Sequence, residues 1–183
     1  MNFIFEGIGI FAYPLGLCSL LAVYIAIERL ISLRTSKIIP DTISNALVSG
    51  KDIQALGDLN SVAGRIVCFE KSTDADADAL KAYAELELTK LERGMFLLDI
   101  VVSAAPLLGL LGTVAGLVEV FSGSGVPEPE VIAKGVGLAL STTIVGLAIA
   151  IPALAVDSYL YRKIDTLSAK INICVERLLD IKK

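Results

Sequence analysis

The chain has 183 residues, of which 55% are hydrophobic and 20% charged, with a net charge of −4 and a mean hydropathy of +0.73. Soluble domains run at roughly 45–50% apolar with about 25% charge, and here the charges are also confined: Gly7–Ile27, Ile100–Val118 and Gly135–Val156 hold none. Uncharged apolar runs this long read as membrane spans; three of them in so short a chain exclude disorder, a soluble enzyme and a nucleic-acid-binding domain.

The first run differs from a secretory signal. Glu6 is the only charged side chain before it, it exceeds an h-region, and Glu28-Arg29 follows where a small-residue cleavage site would stand. It is expected as a retained span. Residues 35–80 read as short helices broken by turns: Pro40-Asp41 opens one that Gly50 closes, and Asn60-Ser61 caps another. The Asp74-Ala-Asp76-Ala-Asp78 run lacks the Gly and terminal Glu of a calcium loop and reads as a solvated helix start, favoured by the helix dipole. From there the helical period continues through Leu86, Arg93 and Leu97 to Phe121. A single helix over 74–121 would be about 72 Å long, against a hydrocarbon core of about 30 Å. Ser122 to Pro129 is a turn, and the third span runs on through Tyr161 and Leu167 to Leu179.

In the second span Ala105, Gly109, Gly112 and Gly116 form one narrow stripe; in the third, Gly135, Ala139, Thr142, Gly146 and Ala150 form another. Small residues at this spacing let helix backbones approach closely. Two such stripes exceed the needs of internal packing, so one of them is expected to face a neighbouring subunit. Thr113 and Thr143 each border a stripe, about 7 and 12 Å below the external edge. They either line a polar path or bond back to their own helix carbonyls. Glu119, seven residues after Gly112, is either an interfacial carboxylate or part of a pore mouth.

Several chemistries are absent. The sequence has no histidine, and its three cysteines, Cys18, Cys68 and Cys174, are too scattered for a disulfide framework or a zinc site. The glycines around Gly112 lack a P-loop lysine. No nucleophile–base pair or metal set suggests an enzyme, and no cofactor is expected. Orientation follows from basic residues: with the amino terminus outside, Lys134 is the one external cation among sixteen Lys and Arg. The segments are then 1–34 (periplasmic amino terminus and first transmembrane helix), 35–93 (cytoplasmic helical loop), 94–121 (second transmembrane helix), 122–130 (periplasmic turn), 131–161 (third transmembrane helix) and 162–183 (cytoplasmic helical tail). The fold class is an all-α membrane protein with three transmembrane helices, two of them extended into a cytoplasmic helical bundle.

Ala105-Pro-Leu-Leu-Gly-Leu-Leu-Gly-Thr-Val-Ala-Gly116 resembles the second-span signature of the ExbB/TolQ/MotA family of ion-driven motor channel subunits, and Ala133 to Ala153 resembles its third-span signature. Tyr13-Pro14, Ser19 and Glu28-Arg29-Leu30 are similar to its first-span pattern. Three spans favour the ExbB/TolQ branch over the four-span flagellar branch. The resemblance implies a multi-pass protein of the bacterial inner membrane and a homo-pentamer around a dimer of an ExbD/TolR-like single-span protein, whose aspartate carries the proton. It places Thr113 and Thr143 on the family's pore-lining threonines. That fits a chain whose three runs offer no Asp, Glu, Lys, Arg or His of their own. The chain departs from the family at Leu138, where ExbB and TolQ usually carry Glu, and Glu119 stands where they usually carry a neutral polar residue or His. The departure leaves H⁺ and Na⁺ as alternatives. TonB-type import, Tol-type envelope maintenance and gliding-type motility all fit as the energised process, so a TonB-like or other envelope protein is a further expected partner, beside membrane lipid. The other reading is a structural membrane scaffold that packs around a partner without conducting ions.

Overall fold

The computed structural model describes residues 9–34, 38–40, 61–73, 76–122 and 128–181. Among them every regular element is helical. A 3₁₀ turn at Gly9–Phe11 leads into α1 (Ala12–Ser32); α2 covers Val62–Thr73, α3 Ala77–Glu92, α4 Met95–Phe121 and α5 Pro129–Ile181. Three helical stretches, Gly9–Ser32, Met95–Phe121 and Pro129–Asp180, are long and apolar enough to cross a membrane. This is an all-α membrane protein. The Pro40–Gly50 helix (but for Pro40), the Asn60 half of the expected cap, Asp74 and residues 123–127 of the turn lie outside the described residues.

Side-chain caps set two helix starts. Ser61 Oγ accepts from the Gly64 N–H at 3.0 Å ahead of α2, and Asp76 Oδ1 accepts from the Ala79 N–H at 2.8 Å ahead of α3. Each satisfies an N–H that has no partner within the helix. The expected unbroken helix over 74–121 is corrected: it divides between α3 and α4 at Arg93-Gly94. Gly94 has a φ of +93°, a left-handed conformation that a side chain disfavours. Arg93 N–H closes α3 on Lys90 O at 3.3 Å, while Gly94 O accepts from Leu97 N–H to begin α4. One glycine in a strong apolar period was too weak a signal to predict the break. Pro106 and Pro152 lie inside α4 and α5 without ending them.

The chain forms two compact units, residues 1–27 with 94–158 and residues 28–93 with 159–183. In the first, buried positions of α4 (Met95, Leu98, Val101, Ala105, Gly109, Gly112) and of α5 (Ala139, Thr142, Gly146, Ala150, Ala153, Asp157) recur every three or four residues, with buried Thr113 and Ser141 each one position beside them. They form one narrow inward stripe on each helix. The outward faces are apolar, with Leu107, Leu110, Ile144 and Ile151 all exposed, as hydrocarbon contact requires.

In the second unit α2 and α3 pack through buried Ile66, Val67, Leu80 and Ala84, and Phe69 stacks on Tyr83 with ring centroids 4.1 Å apart. Glu87 is buried between Arg65 (2.6 Å) and Lys90 (2.6 Å). Burial works against its charge, but the hydrogen bonds and positive charges of Arg65 and Lys90 hold its pKa below the ordinary value. The carboxyl-terminal half of α5 buries Leu160, Ile164, Leu167, Ile171, Cys174 and Leu178. This 4-3-4-3-4 spacing is that of a coiled-coil seam.

Candidate functional site

The antiparallel pair α4/α5 carries the residues singled out by the sequence. Its close approach is set by missing side chains. A Cβ on Gly109 would fall 2.9 Å from both Thr142 O and Thr143 Cα, and one on Gly146 would fall 2.5 Å from Ala105 O. A Cβ on Gly112 would meet Thr142 Oγ1 at 2.7 Å, one on Gly116 would meet Ala139 Cβ at 3.1 Å, and one on Gly135 would collide with Val120 Cγ2. The two small stripes therefore face each other within one chain. This corrects the expectation that one of them was left for a neighbouring subunit. Both are needed to bring two backbones into contact, and neither alone would suffice.

Thr142 sits at the centre of this contact. It is 1% exposed, and its hydroxyl lies 3.0 Å from Gly109 O across the helices and 2.7 Å from Ala139 O on its own helix. Sequence spacing had placed Thr142 on the stripe, but its role as the hydrogen-bonding bridge went unseen.

Thr113 and Thr143 differ from each other. Thr113 is buried at 8% exposure and donates to its own helix at Leu110 O, 2.6 Å away, the back-bond left open above. Thr143, one residue from the bridge and turned about 100° from it, is half-buried. Its Oγ1 is shielded from solvent and has no hydrogen-bond partner among the described residues. Glu119 is exposed in the last turn of α4. It continues the small stripe by spacing, yet the contact at that level is made by Val120 on Gly135. A carboxylate is disfavoured by the dipole at a helix C-terminus, so local helix stability does not account for it.

Two carboxylates that sequence reasoning passed over lie at the other end of the pair. Asp99 is the last charge before the uncharged run of α4, and Asp157 the first after that of α5. Antiparallel packing brings them within electrostatic reach of each other. The symmetry of these two boundary charges was the available signal. Among the described residues no group of three or more His, Cys, Asp or Glu is arranged to hold a metal.

The profile of the MotA/TolQ/ExbB proton channel family matches residues 56–173. The chain is 35% identical over 171 residues to the biopolymer transport protein exbB1 of Vibrio cholerae, covering 82% of this chain and 74% of that protein. It is 40% identical over 99 residues to the biopolymer transport protein ExbB of Helicobacter pylori, covering 51% and 68%. It is also 33% identical over 167 residues to the putative biopolymer transport protein ExbB-like 1 of Synechocystis, covering 81% and 65%. A glycine-matched helix pair beside a threonine with no hydrogen-bond partner among the described residues, on three membrane-length helices, thus falls within a family of channels rather than an enzyme class, and the chain belongs to the MotA/TolQ/ExbB proton channel family.

Proposed function

We propose that this chain is the channel-forming subunit of a proton-motive-force-driven motor in the bacterial inner membrane, with its amino terminus periplasmic and its carboxyl terminus cytoplasmic. The observation that carries the reading is the Thr143 hydroxyl, shielded and without a hydrogen-bond partner among the described residues. A buried hydroxyl left unmatched is costly unless a neighbouring chain, a water file or a moving group meets it. With Thr113 of the adjacent helix, whose hydroxyl proton is held by Leu110 O but whose oxygen can still accept, it forms the hydroxyl part of an ion path whose external mouth carries Glu119. Whether Glu119 replaces the acidic residue absent at Leu138 is part of the same reading.

The uncharged runs Ile100–Val118 and Gly135–Val156 hold no Asp, Glu, Lys, Arg or His, so a proton-carrying carboxylate at the threonine level must come from another chain. An ExbD/TolR-like single-span dimer inside a homo-pentamer of this chain supplies it. Each charge crossing a 100 mV gradient delivers about 2.3 kcal/mol; several ions are therefore coupled to each mechanical step passed to a TonB-like or other envelope protein. The names of the relatives, biopolymer transport proteins, support transport across the envelope as the energised process. Native mass spectrometry from bilayers tests the assembly. Five copies of this chain with two of the partner support it, and a monomeric mass contradicts it.

A further inference from the structure

The inward face of α5 runs Ala139, Thr142, Gly146, Ala150, Ala153 and then Asp157. Up to 153 every side chain on this face is tiny or, at Thr142, hydrogen-bonded. At 157 it is a carboxylate, 7% exposed, whose Oδ1 is sealed from solvent and accepts no hydrogen bond among the described residues. A buried carboxylate is normally matched by donors or a cation. Among the described residues of this unit none donates to Oδ1. From α4 the charged group that reaches Asp157 is Asp99, which has the same sign. On α1, the residues that line a groove with Pro152, Ala153 and Val156 are Ser19, Ala22, Val23 and Ala26, none of them charged. Within this unit, ionising Asp157 therefore sets a charge against a like charge at an oxygen that accepts no hydrogen bond from the described residues, and a proton removes that conflict.

We infer that Asp157 is a proton-binding site at the end of the α4/α5 pair opposite Glu119, taking the proton after the threonine level and releasing it to water. Its role as a relay rests on the channel reading above; its protonation does not. On loading, an O–H bond of a hydronium ion in the water file breaks as one forms at the Asp157 carboxylate, leaving water; on release that bond breaks and the proton passes to water on the far side, with no electron transferred. Asp99 acts as the neighbouring charge that biases Asp157 toward holding the proton.

Two measurements on the full chain with its partner in vesicles test this. Infrared difference spectroscopy across pH 5–8 reads protonated carboxyl groups, and a pH-sensitive dye reads proton flux. The expected result is a protonated-carboxyl band near neutral pH that disappears in Asp157→Asn. In Asp99→Asn the band should vanish at a lower pH than in the wild type, because the like charge is gone. Asp157→Asn should lose most of the flux, and Asp157→Glu should restore both band and part of the flux. The site is overturned if no band depends on Asp157 or if Asp99→Asn leaves its pH range unchanged. The relay role is overturned if Asp157→Asn conducts as the wild type does. A wild-type complex that conducts no protons contradicts the channel reading itself, and that failure shows in the wild type rather than in the variant; it takes the relay role with it.

Discussion

Thr142 of α5 shares its hydroxyl proton between Gly109 O of α4 at 3.0 Å and Ala139 O of its own helix at 2.7 Å, across a contact in which a Cβ on Gly112 would fall 2.7 Å from the Thr142 Oγ1. One threonine thus joins two helices because a glycine one turn from its acceptor leaves room for it. Interhelical hydrogen bonds in membranes contribute about 0.6 kcal/mol on average and up to about 1.7. Thr142→Val should therefore destabilise the folded chain by about 1 kcal/mol, and Gly112→Leu by more, because the backbones must separate. Unfolding of the purified chain in mixed detergent micelles measures both, and an unchanged midpoint for Gly112→Leu would contradict the packing described here.

The same geometry changes what glycine substitutions report. Gly112→Leu and Gly146→Leu disturb the protomer before any subunit contact, so lost assembly in these variants is not evidence about an intersubunit face. Thr142→Val likewise removes a hydrogen bond inside the protomer and is a stability variant, not a neutral control.

Much of this was legible in sequence. The uncharged runs marked the spans, and the 4-3-4 spacing of Ala105, Gly109, Gly112 and Gly116 marked the contact stripe. Which stripe met which was not legible, since a small face is equally suited to a neighbour in the same chain or in another. Nor could spacing separate Thr142 from Thr143: adjacent hydroxyls differ only by rotation, and rotation is fixed by the register against α4. The Gly94 break was hidden because the apolar period runs through it. Asp157 was hidden because a charge one residue past a span reads as its boundary.

The buried Glu87 makes the second unit acid-sensitive. Its folded pKa lies below its ordinary 4.5, so it contributes stability that is present above about 4.5 and is lost as pH falls through the folded value. The two partners are not equivalent. Glu87 is 1% exposed, whereas the Arg65 side chain is 34% exposed. Arg65→Met leaves a buried charge with Lys90 alone and should cost about 3 kcal/mol. Glu87→Gln frees two cations to reach water and should cost less while flattening the acid limb. Denaturant melts of the whole chain at pH 4 and pH 7 check the order, and equal costs would contradict the burial asymmetry.

Cys174 is buried and its thiol is pushed up to about 11 by that burial. At neutral pH it is almost wholly a thiol, and the thiolate is the reactive form. It should resist a maleimide in the folded chain, while Cys68, half-buried in α2, reacts first. Mass mapping of the alkylated peptides decides this, and early labelling at Cys174 would contradict the packing of the α5 seam.

Glu119, exposed at the end of α4, should act on supply rather than on assembly. In the proposed pentamer five carboxylates around a mouth would concentrate cations, so Glu119→Gln should slow transport most at low ion concentration and least at high. Equal activity of the variant across all pH and salt conditions would reduce Glu119 to an interfacial residue.

The claim that the hydroxyls form the path is tested most directly by proton flux through vesicles holding this chain with its single-span partner, comparing the wild type with Thr143→Val. Valine keeps the shape of threonine and removes its hydrogen-bonding capacity. Thr143 Oγ1 has no hydrogen-bond partner among the described residues to lose, so the substitution leaves the helix pair intact. The account predicts that Thr143→Val, and likewise Thr113→Val, assembles with the partner yet conducts no protons, while serine at either position retains part of the flux. Wild-type flux through an assembled Thr143→Val complex would contradict it.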